Sequence, residues 1–252
     1  MTRQLYYTFL CFISLFVACA DSNNTLTAEE VLDFSIKNSG GDTYLNSHIK
    51  FNVGDLDYHF YRHKNIIEYQ LTRVVGSMTY LATYHNGQYA YLVNDQEQIQ
   101  TTQSRKFIET QLDGFAYAFY IPHLFNENHV LTQRLDDVKI DKKDYYTLRI
   151  TFKDYEGSPN DQFYLYINKD TGLVDFYTEK MHINGDSNLF KKALNWRERN
   201  GLMFADYHIF KSADTVPLED VYKYYNNKTI EYVKATKIEN IIVNPIDSPV
   251  ND

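Results

Sequence analysis

The chain has 252 residues and a formal net charge of −8 at pH 7, with 25 Lys and Arg against 33 Asp and Glu. That balance excludes nucleic acid as a partner class, because phosphate backbones demand basic patches, and it argues against dense adhesion to anionic headgroups. Cys11 and Cys19 are the two cysteines, which leaves the chain beyond residue 19 with neither a disulfide nor a thiolate metal site.

Arg3 supplies a positive start, and Leu5 to Val17 supplies an apolar run. The run is shorter than the ~20 residues a helical span needs. It ends in Ala18-Cys19, followed by polar residues, with Phe16 standing where Leu is usual. This predicts a lipoprotein signal over 1–18, lipid on the Cys19 thiol, and a tether over 19–26. The expected address is the cell envelope, lipid-anchored, with the outer membrane favoured.

The 23 Tyr and 16 Phe, set against 10 Gly and 5 Pro, indicate a β-rich chain, and an aromatic binding surface stays open as the alternative. Thr27-Ala-Glu-Glu30 spells a capping box and Gly40-Gly41 a stop, predicting a helix over 28–38. Strands follow at 48–53, 56–60, 67–72 and 78–84, read from alternation such as Ile49, Phe51 and Val53. Asn86-Gly87 marks a hairpin. Tyr89, Tyr91 and Val93 continue, and 96–101 reads as a polar edge strand.

Residues 103–125 change period. Phe107, Leu112, Phe115, Phe119 and Leu124 recur at helical spacing until Pro122, predicting one or two helices over a sheet. Strands resume at 130–140 and through Leu148, Ile150 and Phe152. A polar loop holds Gly157 and Pro159. Phe163, Leu165 and Ile167 then face one way and Tyr164 and Tyr166 the other. Further turns fall at 168–172, Asn184-Gly185 and Asn200-Gly201, with Leu194 and Trp196 expected on one face. Residues 217–222 read as a short helix and 230–243 as a last strand. The pattern is a meander, hence mainly β: a strongly curved, open antiparallel sheet or half-barrel with helices on its concave side.

Chemistry-bearing patterns are sparse. His59 and His63 stand four apart, but in a strand rather than a helix, and no H-E-x-x-H occurs. Asp55 and Asp57 read as a solvated turn. No nucleophile elbow, P-loop or dinucleotide fingerprint is present. The expectation is therefore a non-enzyme without cofactor or metal. The aromatic helix over a curved sheet predicts instead an apolar gap lined by Phe107, Phe115, Phe119, Leu148, Ile150, Phe163, Leu165 and Trp196.

Helix, Gly40-Gly41, Ile49-x-Phe51 and Tyr58-x-Phe60-x-Arg62 resemble the opening of an uncharacterised lipoprotein family of the Gram-negative envelope. Asn195-Trp-Arg-Glu-Arg-Asn-Gly-Leu202, Pro217-Leu-Glu-Asp220 and Lys237-Ile-Glu-Asn-Ile241 resemble its C-terminal half. The resemblance spans about 27–243 and implies one domain there, with a loose tail over 244–252. The hairpin from Tyr164 to Phe176 and Gly201-Leu-Met-Phe204 are similar to LolA and LolB, carrier and receptor in lipoprotein sorting. That likeness implies an open barrel with a helical lid over a cavity for acyl chains, and so a lipid or lipoprotein ligand. The competing expectation is a non-catalytic interaction lipoprotein that meets a protein or glycan through an aromatic outer face.

Overall fold

The computed structural model describes residues 26–153, 161–182, 185 and 187–246. The signal segment with Cys19, the Gly157–Pro159 loop, Asn184 and the tail beyond 246 lie outside the described residues.

Helix α1 (Ala28–Ser39) starts on the capping box: the Thr27 amide donates to Glu30 at 2.7 Å and the Glu30 amide to the Thr27 hydroxyl at 3.2 Å. Each bond satisfies an amide that the helix itself cannot. Strands β1 (Ser47–Val53), β2 (Leu56–His63), β3 (Ile66–Val75), β4 (Met78–His85), β5 (Gln88–Val93) and β6 (Gln96–Glu97) then form an antiparallel meander. Register places Ile49 opposite Phe60, Phe51 opposite Tyr58, Phe60 opposite Tyr69 and Leu71 opposite Ala82, so one face is apolar throughout. Asn86 and Gly87 both have positive φ, as the tight two-residue turn between β4 and β5 requires. The expected edge strand over 96–101 is cut short at Glu97. Beyond Gln98, the Gln100 side chain takes the Tyr89 carbonyl (2.9 Å) in place of a backbone ladder.

Helix α2 (Thr102–Phe119) crosses to the second sheet. This is built from β7 (Val130–Ile140), β8 (Lys143–Phe152), β9 (Gln162–Asn168), β10 (Val174–Lys180), β11 (Leu189–Arg199) and β12 (Leu202–Lys211). After α3 (Val221–Asn226) come β13 (Glu231–Thr236), which pairs with β12, and β14 (Glu239–Pro245), which returns to pair with β1. The orders are β14-β1-β2-β3-β4-β5-β6 and β13-β12-β11-β10-β9-β8-β7. Two large open antiparallel sheets with few helices make the molecule mainly β, a curved half-barrel.

The chain changes sheets at Lys237-Ile238, and Asp206 fixes that step. Its carboxylate accepts from the Ile238 amide (3.0 Å), Arg197 (2.9 Å) and Asn195 (3.0 Å). Burial alone would raise its pKa; these hydrogen bonds and the Arg197 charge outweigh it and hold it below the usual range.

Both faces of the second sheet are covered. Val31 and Leu32 of α1 pack on Leu148, Ile150, Phe163 and Leu165, which are fully buried. On the opposite face Val216, Leu218 and Val221 cover Tyr145, Tyr164, Tyr166, Phe176 and Phe190. Tyr164 and Tyr166, which alternation turns away from Phe163, Leu165 and Ile167, are therefore core as well, and β9 is buried at nearly every position. Leu194 and Trp196 do not share a simple alternation. The register slips between Leu194 and Arg197, with Asn195 at φ +54°, and the Trp196 indole donates to Asp175 at 3.0 Å. No helix among the described residues is long and apolar enough to cross a membrane.

Gly40 has φ +133°, and a Cβ there would lie 2.5 Å from Leu202 Cδ2 and 3.0 Å from the Gly201 carbonyl oxygen. Gly40→Ala is expected to cost about 2 kcal/mol or more. Gly41→Ala, at φ +57° in open space, is expected to cost about 1 kcal/mol. Equal urea midpoints for the two variants would show that the approach of Leu202 does not constrain this corner.

His123 is buried at 2% exposure, with its ring 4.3 Å from that of Tyr44, and burial holds its imidazole down at about 4. The unfolded chain binds the proton at ~6.5, so stability falls as pH drops through 6.5 and levels off below about 4. The loss expected at pH 4.5 relative to pH 7.5 is about 2–3 kcal/mol from this group. His123→Phe removes that share, which urea unfolding at the two pH values measures. The same pH dependence in both proteins would contradict it.

Candidate functional site

Helix α2 lies on the apolar face of the first sheet. Thr101 caps it, accepting from the Ser104 amide at 3.1 Å. Ile108, Leu112, Ala116 and Phe119, spaced four, four and three apart, form its buried stripe. Ring stacking fixes its C-terminal half: Phe119 on Phe51 at 4.6 Å between centroids, Phe115 on Tyr58 at 4.5 Å. Such pairs each add about 0.5–1.5 kcal/mol beyond area burial.

The helix does not fill the space beside it. On one flank a cavity of about 470 Å³ opens between α2 and β2–β5, walled by Leu56, Leu71, Tyr80, Ala82, Tyr91 and Phe107. On the other flank a cavity of about 310 Å³ lies between α2, the β1–β2 turn and strands β10–β13. Phe115, Ala118 and Phe119 form its roof, and Tyr177, Lys191 and Tyr207 stand opposite. Leu56 and Gln111 belong to the walls of both. A third, shallower cavity of about 330 Å³ sits under the amino end of α2 and shares Tyr91, Phe107 and Ile108 with the first. These volumes lie in the range of small-molecule sites, ~300–1,000 Å³. Phe107 is 63% exposed and Val75 49% exposed at the rim of the larger cavity.

Of the eight residues predicted to line a gap, Phe107, Phe115 and Phe119 come together along α2 and face the cavities. Leu148, Ile150, Phe163 and Leu165 sit in the filled core beneath α1 and reach none of these cavities. Trp196 edges a narrow recess of about 20 Å³ shared with Phe119. Among the described residues no group of three or more His, Cys, Asp or Glu is arranged to hold a metal ion.

Sequence reasoning passed over the polar floor of the 310 Å³ cavity. Lys191 Nζ meets Glu179 Oε1 at 2.8 Å, with the side chains 11% and 1% exposed. The ammonium also lies 5.1 Å from the centre of the Tyr177 ring. Tyr177 is buried, its hydroxyl has no hydrogen-bond partner among the described residues, and burial together with the Glu179 charge raises its pKa well above the usual value. Alternation counted from Val174 would turn Tyr177 and Glu179 outward. A bulge between Val174 and Phe176 restores them to the inner face. The legible signal was a Glu and a Lys on neighbouring strands otherwise rich in core residues.

Among proteins of curated function none matches the sequence. Among solved structures, the chain is similar to the LolA superfamily protein NE2245 from Nitrosomonas europaea. That similarity has a TM-score of 0.53 at 12% identity and covers 89% of this chain and 95% of that one. A DUF1329 family protein from Desulfovibrio piger gives 0.41 at 11% identity, covering 90% and 96%. The first similarity shows a shared LolA-type fold, as the strand and turn motifs implied. The sequence model described as "Family of unknown function (DUF6503)" matches residues 9–240, most of the chain, and the protein belongs to that family.

Proposed function

We propose that this protein is a lipid-anchored envelope protein that binds an apolar chain, such as the acyl chain of a lipid or lipoprotein, beside α2. The observation that carries the reading is the pair of unfilled, mainly apolar cavities flanking the helix. A LolA-type fold supports it. The mechanism is burial rather than covalent chemistry. Each methylene moved from water into the cavity contributes about 0.8 kcal/mol. Phe107 and Val75 form an apolar rim where a chain enters, and the aromatic roof of Phe115 and Phe119 receives it.

Leu56 stands in both cavity walls and is half-buried at the edge of the core, so Leu56→Trp puts a larger ring into that space. The expected result is at least a tenfold weaker uptake of a fluorescent acyl probe, with the thermal midpoint nearly unchanged. Undiminished saturable uptake would overturn the cavity reading. Attachment is tested separately. Cys19→Ser is expected to leave the chain without the incorporation of labelled palmitate that the unaltered chain shows. Equal labelling of both would remove Cys19 as the anchor.

A further inference from the structure

Resting on the cavity reading above, we infer that the 310 Å³ cavity selects an uncharged amphiphile, one whose apolar chain ends in an ester, amide or hydroxyl group, over a fatty-acid anion. The selecting device is the Lys191–Glu179 pair.

The pair is flanked by Tyr58, Phe115, Phe119, Tyr177 and Ile209, and Thr110, Gln111, Thr236 and the exposed Lys234 also belong to the lining. A ligand chain lying along α2 reaches Lys191 before Glu179, because Lys191 keeps some exposure while Glu179 is enclosed. The ammonium carries three donors, and one is directed to Glu179. It therefore has donors left for a carbonyl or hydroxyl oxygen. It has no net charge left to offer, since Glu179 already neutralises it. A second carboxylate placed beside it would meet the Glu179 anion at short range in a poorly solvated space, where like charges repel most strongly. A neutral oxygen accepts the same hydrogen bond without that repulsion.

A second observation points to a polar guest at the same wall. The buried Tyr177 hydroxyl has no partner among the described residues. A buried hydroxyl left unpaired is costly, and a neutral oxygen able to donate or accept would relieve it. Lys191 sits over the Tyr177 ring and opposite Tyr177 in the strand register, so the three groups act on one small volume.

The test is displacement of a fluorescent apolar probe, 1-N-phenylnaphthylamine, from the full chain held in amphipol at pH 8. Monolaurin and laurate serve as competitors, since they match in chain length and differ in the charge of the head. For the unaltered protein, monolaurin is expected to displace the probe at a tenfold or more lower concentration than laurate. Glu179→Gln leaves the Lys191 charge uncompensated and is expected to reverse the order in favour of laurate. Where that single change impairs folding, Glu179→Gln with Lys191→Met removes both charges together, a replacement that buried pairs tolerate well. The double variant is expected to bring the two competitors within threefold of each other. Equal displacement by monolaurin and laurate from the unaltered protein, or a ratio that neither variant changes, overturns the inference and leaves the cavity reading standing. Failure of the probe itself to bind the unaltered protein overturns the cavity reading, and this inference with it.

Discussion

One helix is set between two seven-stranded sheets, and it is too narrow to fill the space they leave. Everything that could serve binding depends on that mismatch. The first sheet offers an aromatic floor of Phe51, Tyr58 and Phe60, and α2 settles on it through Leu112, Ala116 and the stacked rings of Phe115 and Phe119. A helix is about 10 Å across with its side chains. The flanks of this one meet gaps of about 470 and 310 Å³ rather than side chains. Beneath α1, Leu148, Ile150, Phe163 and Leu165 are sealed to zero exposure. The chain can therefore close-pack an interior, and it does so where α1 and α3 lie; beside α2 it does not.

The buried Lys191–Glu179 pair makes the second contrast. Taking two charges out of water costs several kcal/mol each, and their attraction often no more than repays it, so such a pair is weak evidence for stability. Its interest lies in its position. It interrupts a mainly apolar wall at the point where that wall faces open volume. The Asp206 cluster is different in kind. There a carboxylate gathers an amide, a guanidinium and an Asn where the chain passes from the second sheet back to the first, and the result is a fixed corner.

Much of the fold was legible because local signals agreed with it. Thr27 and Glu30 start α1 as their spacing requires, and Asn86-Gly87 and Asn200-Gly201 turn where their φ freedom allows. The helical spacing of Leu112, Phe115 and Phe119 found α2 and, through it, the cavities. What escaped was anything decided by pairing at a distance. Alternation placed Phe163, Leu165 and Ile167 on one common face, and they share it. It could not say that α1 would come down on them, nor that residues 216–225 would cover Tyr164 and Tyr166 behind. The slips after Val174 and Leu194 each reverse the parity of the rest of the strand, which hid Tyr177, Glu179 and the true setting of Trp196. A bulge leaves almost no mark in sequence, since any residue can occupy the extra place.

The return of β14 to β1 has a consequence for how the molecule comes into being. Ser47 pairs with Pro245, so the outer edge of β1 stays bare until the other strands have all been made. An uncovered strand edge invites pairing with whatever strand is nearest, and contacts between such distant partners are slow to form. The first sheet thus cannot be finished on its own. The arrival of β14 covers β1 and moves the outer edge of the sheet to β14 itself.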